Sequence, residues 1–188
     1  MKLTKNLSRN KGFTLVEILV VVSIILISVG VAGDLIVSVT RSYNKTRILN
    51  EIEQNGNYVI AKITNDLKNA TSVTISSGAL QIVNASGQTI SYRIQSNTCS
   101  GTNVSYVSRR VVTTSPASDV TGKMTSDGCR DGINVTSSSP FAINTILGTG
   151  VQYVSVTLSF SQVGSYAATS QYAATQSFTT YVTLRSGN

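Results

Sequence analysis

Few residues in this 188-residue sequence are of a type that does chemistry, and their spacing limits what each can do. Cys99 and Cys129 are the two cysteines. With no histidine anywhere and no Cys-x-x-Cys spacing, they make neither a zinc site nor a redox-active pair. If this part of the chain lies outside the cytoplasm, a disulfide between them is expected, worth about 3–4 kcal/mol by loop closure. Two separate thiols are the alternative. Asp127-Gly128 and Asp131-Gly132 flank Cys129, with Asp119 upstream. Oxygen-rich loops bind Ca²⁺, which makes Asp127 and Asp131 the metal candidates. Their spacing matches no EF-hand, however, and Asp-Gly is a common turn dipeptide, so turns are the favoured reading and no cofactor is expected. Arg109-Arg110 and eight scattered tyrosines are the raw material of a nucleic-acid surface. One dibasic pair reads more simply as an edge-strand feature that discourages aggregation, so nucleic acid is not an expected partner. Glu17 is a lone carboxylate inside an apolar run. No nucleophile–base pair, phosphate-cradling loop or carboxylate pair is recognisable, and the composition argues against an enzyme.

The charge distribution bears on partners. Fifteen Lys and Arg against eight Asp and Glu give +7, but Lys2, Lys5, Arg9 and Lys11 all fall within the first twelve residues. Without them the balance is 11 to 8, so the basic character belongs to the N-terminus and not to a nucleic-acid-binding face. Serine (27) and threonine (23) exceed a quarter of the chain, which reads as hydroxyl-decorated strands and loops.

Three elements must position these groups. Residues 1–12 are polar and basic. From Phe13 to Val39 the chain is almost uninterruptedly apolar, with Glu17 and Asp34 its charges. At about 1.5 Å per residue, 13–33 is long enough to cross a hydrocarbon core of about 30 Å, and the basic start keeps the N-terminus cytoplasmic. An ordinary secretory signal cleaved before Asp34 and a plain single-span anchor both fit this pattern. Neither gives Glu17 a task, although a carboxylate at full membrane depth costs about 2.5–3.5 kcal/mol. Beyond Val39, Ile48, Ile52, Val59, Ile63, Leu67 and Ala70 recur with helical spacing, and Arg47, Glu51, Lys62, Asp66 and Lys68 fall mostly between them. One helix from about Thr14 to Asn69 is predicted, with Gly30, Gly33 and Gly56 as places where it loosens or, at Gly30 and Gly33, where another helix approaches closely. From Thr71 the pattern is strands: Val73–Ile75, Leu80–Val83, Ile90–Ile94, Val104–Thr113 (a pair or one bent strand), Val154–Phe160 and Phe178–Leu184. Tyr-Ala-Ala-Thr at 166–169 and 172–175 reads as a hairpin tip, and 114–150 as a long surface loop. The fold class is α+β: one long N-terminal helix, its first half membrane-embedded, packed on an antiparallel β-sheet.

Gly12-Phe13-Thr14-Leu15-Val16-Glu17, after a basic leader and before an apolar helix, resembles the type IV prepilin signature, and the resemblance covers Met1 to about Val39. It implies that a prepilin peptidase cuts between Gly12 and Phe13 and then N-methylates Phe13. Gly12 suits such a site because a residue without Cβ lets extended backbone lie close to a protease. It also implies that Glu17 neutralises the N-terminal amine of a neighbouring subunit, which removes the cost of an unpaired charge in lipid or in a fibre core. The stretch Glu51–Ala70 further resembles the helix end of minor pilins and J-type pseudopilins of type II secretion.

Together these imply a leader at 1–12, a membrane or filament-core helix at 13–39, and an extracytoplasmic pilin-like domain at 40–188. The expected function is that of a structural minor subunit of a type IV pilus-like fibre serving assembly, secretion, adhesion or DNA uptake. Its expected partners are other pilins or pseudopilins, prepilin peptidase, the inner-membrane assembly platform and, before assembly, membrane lipid. Two alternatives stay open: an adhesive or ligand-binding tip module using 114–150 and the Tyr-Ala-Ala-Thr segment, and a secreted soluble protein beginning at Asp34.

Overall fold

The computed structural model describes residues 12–99, 102–114, 117–125, 133–163 and 174–184. One helix, α1 (Leu15–Lys68), precedes nine strands: β1 (Ala70–Ser76), β2 (Ala79–Asn84), β3 (Thr89–Cys99), β4 (Thr102–Thr114), β5 (Ala117–Lys123), β6 (Ile133–Val135), β7 (Phe141–Thr145), β8 (Gln152–Gln162) and β9 (Thr175–Thr183). The chain is α+β, as its patterning predicts, and divides into two units at Ser42/Tyr43.

In the first unit the described residues are helical from Leu15 onward, and all of their side chains are exposed. Valine and isoleucine dominate this half of α1, although β-branched residues are only moderate helix formers in water. In lipid the preference is different, because every backbone N–H and C=O must find its partner within the segment and a helix achieves this. Its hydroxyls follow the same rule. Ser23, Ser28 and Thr40 each donate at 2.8 Å to the carbonyl four residues back, on Leu19, Ile24 and Ile36.

In the second unit, α1 buries Ile52, Gly56, Val59, Ile63, Asp66 and Leu67. Steps of three and four keep them on one face. That face joins Leu80, Ile82, Ile90, Tyr92 and Val107 from one sheet, and Val154, Val156, Leu158 and Phe160 from the other, in a single core. Asn69 closes the helix by donating from Nδ2 to the Asn65 carbonyl at 3.0 Å.

The first sheet is a five-stranded antiparallel meander in the order β1-β2-β3-β4-β5. Ser77 and Gly78 form its first turn with φ of 49° and 73°. Two positive values in a two-residue loop are what a type I′ hairpin requires, and a glycine at the second meets no steric cost. In the next turn the Asn84 Oδ1 accepts from the Ser86 N–H, the Ser86 hydroxyl and the Gln88 N–H. The second sheet is built on β8, to which β9 pairs along its length while β6 and β7 pair with its two ends. No Asp, Glu, Lys or Arg occurs between Gly132 and Leu184, so this sheet is made entirely from uncharged residues.

Two expectations are corrected, and one of two alternatives is decided. Residues 114–150 are not one long loop, since β5, β6 and β7 lie within it. β5 carries one large apolar residue, Val120, and pairs through its backbone register with β4, while β6 is three residues long. Such strands leave little period-two signal, and tertiary pairing forms them. Residues 104–113 belong to one strand, the 13-residue β4. Gly56 is a packing position and not a loose point: a Cβ there would lie 2.3 Å from the Phe178 ring. The Tyr-Ala-Ala-Thr segment falls largely outside the described residues.

Phe178 lies edge-to-face on Phe160 with ring centroids 5.6 Å apart, so it has a packing partner of its own. Gly56→Ala is therefore expected to lower the unfolding free energy by about 1–3 kcal/mol through overpacking, although alanine is the better helix former by about 1 kcal/mol. Urea unfolding of the detergent-solubilised chain reads this directly. An unchanged or raised midpoint would mean that the ring swings aside without cost.

Candidate processing and assembly site

Gly12, Phe13 and Thr14 precede α1 in non-helical conformation, and all three are exposed. Thr14 is the N-cap: its Oγ1 accepts the Glu17 N–H at 3.2 Å, and its carbonyl accepts the Ile18 N–H at 3.3 Å. Glu17 thus stands at the third helical position, where a carboxylate favours the positive end of the helix dipole. Its carboxylate makes no hydrogen bond or ion pair among the described residues. The Thr14-x-x-Glu17 spacing is that of a capping box, a sequence signal that locates the helix start independently of any family likeness. A Cβ on Gly12 would meet nothing within 4 Å, so nothing in the described chain requires glycine there. Phe13, 77% exposed, heads a helix whose apolar residues are exposed as far as Val39. That stretch is long and apolar enough to cross a membrane.

The dibasic pair has a different role from the one its sequence suggests. β4 lies between β3 and β5 and is not an edge strand. Its side chains alternate, so Arg109 turns toward the helix and Arg110 toward the opposite face. Arg109 sits directly across from Tyr92 in the β3–β4 register. Its Nε and a terminal nitrogen both donate to the Asp66 Oδ2, at 3.0 and 2.9 Å, and the Tyr92 hydroxyl donates to the same oxygen at 2.6 Å. The Lys62 Nζ lies 4.0 Å from the other Asp66 oxygen. Asp66 and Tyr92 are buried, so this cluster pins the last turns of α1 to the centre of the first sheet. Burial and the hydrogen bond to Asp66 push the Tyr92 phenol far above the usual tyrosine range, with the Arg109 charge pulling weakly the other way. Burial acts against the Arg109 charge, but its hydrogen bonds to Asp66 and Tyr92 more than offset that and hold the guanidinium charged.

Arg110 is bound by Asp119 on β5, through Nε at 2.8 Å and through a terminal nitrogen. That hydrogen bond holds the Asp119 carboxyl below the ordinary carboxylate range. Asp119, read from sequence as part of an oxygen-rich group, is therefore engaged by a guanidinium. Cys129, Asp127 and Asp131 lie outside the described residues, as does the Cys99 side chain, so the disulfide and Ca²⁺ expectations fall outside what the structure describes. Sequence reasoning missed the role of Asp66, which it set between the apolar positions. The signal was present, because Asp66 follows Val59 by seven residues and Ile63 by three, on the buried face.

A neutral Tyr92 is required inside the fold, whereas the unfolded phenol ionises near pH 10. The stability it contributes is complete below that pH and declines as pH rises above it, because only the unfolded state then loses the proton. Thermal unfolding is expected to show an alkaline decline that is shallower in Tyr92→Phe. That variant is also expected to be less stable at neutral pH by about 1.5–3 kcal/mol, the worth of a hydrogen bond to a charged group. Parallel alkaline limbs in the two proteins would show that Tyr92 ionises freely in the fold.

Residues 7–33 match the family model of the prokaryotic N-terminal methylation motif. No curated protein and no solved structure matches the chain. The N-terminal segment of this chain thus carries the prokaryotic N-terminal methylation motif, from the residues ahead of Phe13 into the apolar helix, which supports a type IV pilin-like prepilin.

Proposed function

We propose that this chain is a structural minor subunit, a minor pilin or J-type pseudopilin, of a type IV pilus-like fibre. The observation that carries the reading is the methylation motif running into a helix whose apolar first half is exposed on every side. Such a helix needs lipid before assembly and other subunits' helices after it. Residues 1–12 are the leader, 13–39 the membrane and filament-core segment, and 40–188 the extracytoplasmic domain. Prepilin peptidase cuts between Gly12 and Phe13 and methylates the new amine. The open surroundings of Gly12 support this, since the demand for glycine then comes from the peptidase and not from the chain's own packing.

Cleavage leaves a cationic amine on Phe13, four residues ahead of Glu17. The Glu17 carboxylate, unengaged among the described residues, is the group that neutralises a neighbouring subunit's amine as the helices bundle. An ion left unpaired in that apolar surrounding costs several kcal/mol, so pairing selects the register in which subunits enter the fibre. Cys99 and Cys129 close a disulfide once the domain is outside the cytoplasm.

The N-terminal sequence and intact mass of the protein from its native host test the processing step. A chain beginning with N-methylated Phe13 is expected, and one beginning at Asp34 would replace this reading with that of a secreted protein. Gly12→Leu is expected to accumulate as the uncut precursor. Glu17→Val is expected to be cut and methylated normally yet to enter fibres at least about tenfold less, equivalent to about 1.4 kcal/mol. Wild-type incorporation of that variant would remove the charge-pairing step.

A further inference from the structure

The outward face of the first sheet carries a groove. Of the three arginines on the described strands, Arg109 is bound by Asp66 and Arg110 by Asp119. Arg93, on β3, is exposed and has no carboxylate partner among the described residues. It lines two clefts at once. One, of about 380 Å³, crosses β2 to β5 between Gln81, Gln95 and Thr121, with Ser91 and Ser108 beneath. The other, of about 420 Å³, is bounded by Ser77, Ser137, Ser138, Ile94 and Pro140. Ser108 is buried although it faces outward, because the longer side chains around it form the walls, and its hydroxyl donates to the Arg93 carbonyl at 3.1 Å.

We infer that this double cleft binds a carboxylated saccharide, with the Arg93 guanidinium taking the carboxylate. Three features specify that chemistry. A planar guanidinium offers parallel donors that match a carboxylate. The rest of the lining is hydroxyl and amide, which both donate and accept and so suit the ring hydroxyls of a sugar. Ile94 and Pro140 give the second cleft an apolar wall for the C–H face of a ring. Neither cleft is lined by an aromatic side chain on which bases would stack, which disfavours a nucleic acid. The inference concerns the 43–188 unit alone and holds however the N-terminus is processed.

The test is calorimetric titration of the detergent-solubilised full chain with hexagalacturonate, with maltohexaose as the neutral control and sodium sulfate as competitor. Saturable binding of hexagalacturonate is expected, at least about tenfold tighter than maltohexaose, a gap of about 1.4 kcal/mol. Arg93→Gln is expected to abolish that preference while unfolding at the wild-type midpoint, since Arg93 is exposed. Thr121→Trp, which fills the first cleft and leaves Arg93 in place, is expected to weaken the hexasaccharide without removing the preference for charge. The inference is overturned if hexagalacturonate does not saturate, if maltohexaose binds equally well, if Arg93→Gln binds like wild type, or if sulfate at equal molarity displaces the saccharide.

Discussion

A helix cannot be stable in water while it presents valine, leucine and isoleucine on every side, and the first half of α1 does so. Each such side chain forgoes about 1.5–3 kcal/mol of burial while it remains exposed. The organisation of the chain follows from that constraint. Among its described residues the unit ending at Ser42 has no buried side chain, so its surroundings must supply a core. Lipid does so for a helix, because the backbone is already satisfied within the segment and the hydroxyls of Ser23, Ser28 and Thr40 fold back onto carbonyls. The second half of the same helix meets a different solvent. There the apolar residues contract to one face and two sheets cover it.

The Asp66 cluster completes that second half. A carboxylate on the core face of a helix would normally destabilise the fold, and the Tyr92 and Arg109 donors together with the nearby Lys62 ammonium prevent it. The arrangement ties local sequence to topology: Tyr92 and Arg109 can meet the same oxygen only because β3 and β4 pair in a register that sets them directly opposite. A one-residue slip between the two strands would carry Arg109 to the outward face and leave the buried Asp66 without its guanidinium. The cluster therefore fixes the register of the two central strands as well as the seat of the helix.

Much of this was legible beforehand, and the exceptions share a cause. The apolar period of three and four in α1 and the β-prone runs that became β8 and β9 are local signals, and each element formed where they pointed. The prepilin-like start was legible because Gly12, Phe13 and Glu17 sit at fixed spacing on one short segment, and the matched family model covers 7–33. What could not be read was decided by partners distant in sequence. β5 is a strand because β4 is beside it, Gly56 is constrained by Phe178, and the roles of Arg109 and Arg110 depend on Asp66 and Asp119. Arg109 and Arg110 are adjacent in sequence, yet the pleat sends them to opposite faces, which no composition-based reading of a dibasic pair separates.

The second sheet bears on how the protein behaves beside its neighbours. It contains no ionisable acid or base other than tyrosine, and its outer face includes a Tyr153–Tyr181 pair and hydroxyls that bond to one another, Thr157 to Thr179 and Ser159 to Ser177. Such a surface has no charge to be screened by salt or reversed by moderate acid. The first sheet, with its arginines and Asp119, responds to the ionic composition of the medium, whereas the second does not. The domain thus has one electrostatically adjustable sheet and one that is chemically indifferent, so a contact made through the second would keep its strength as salinity or pH changes.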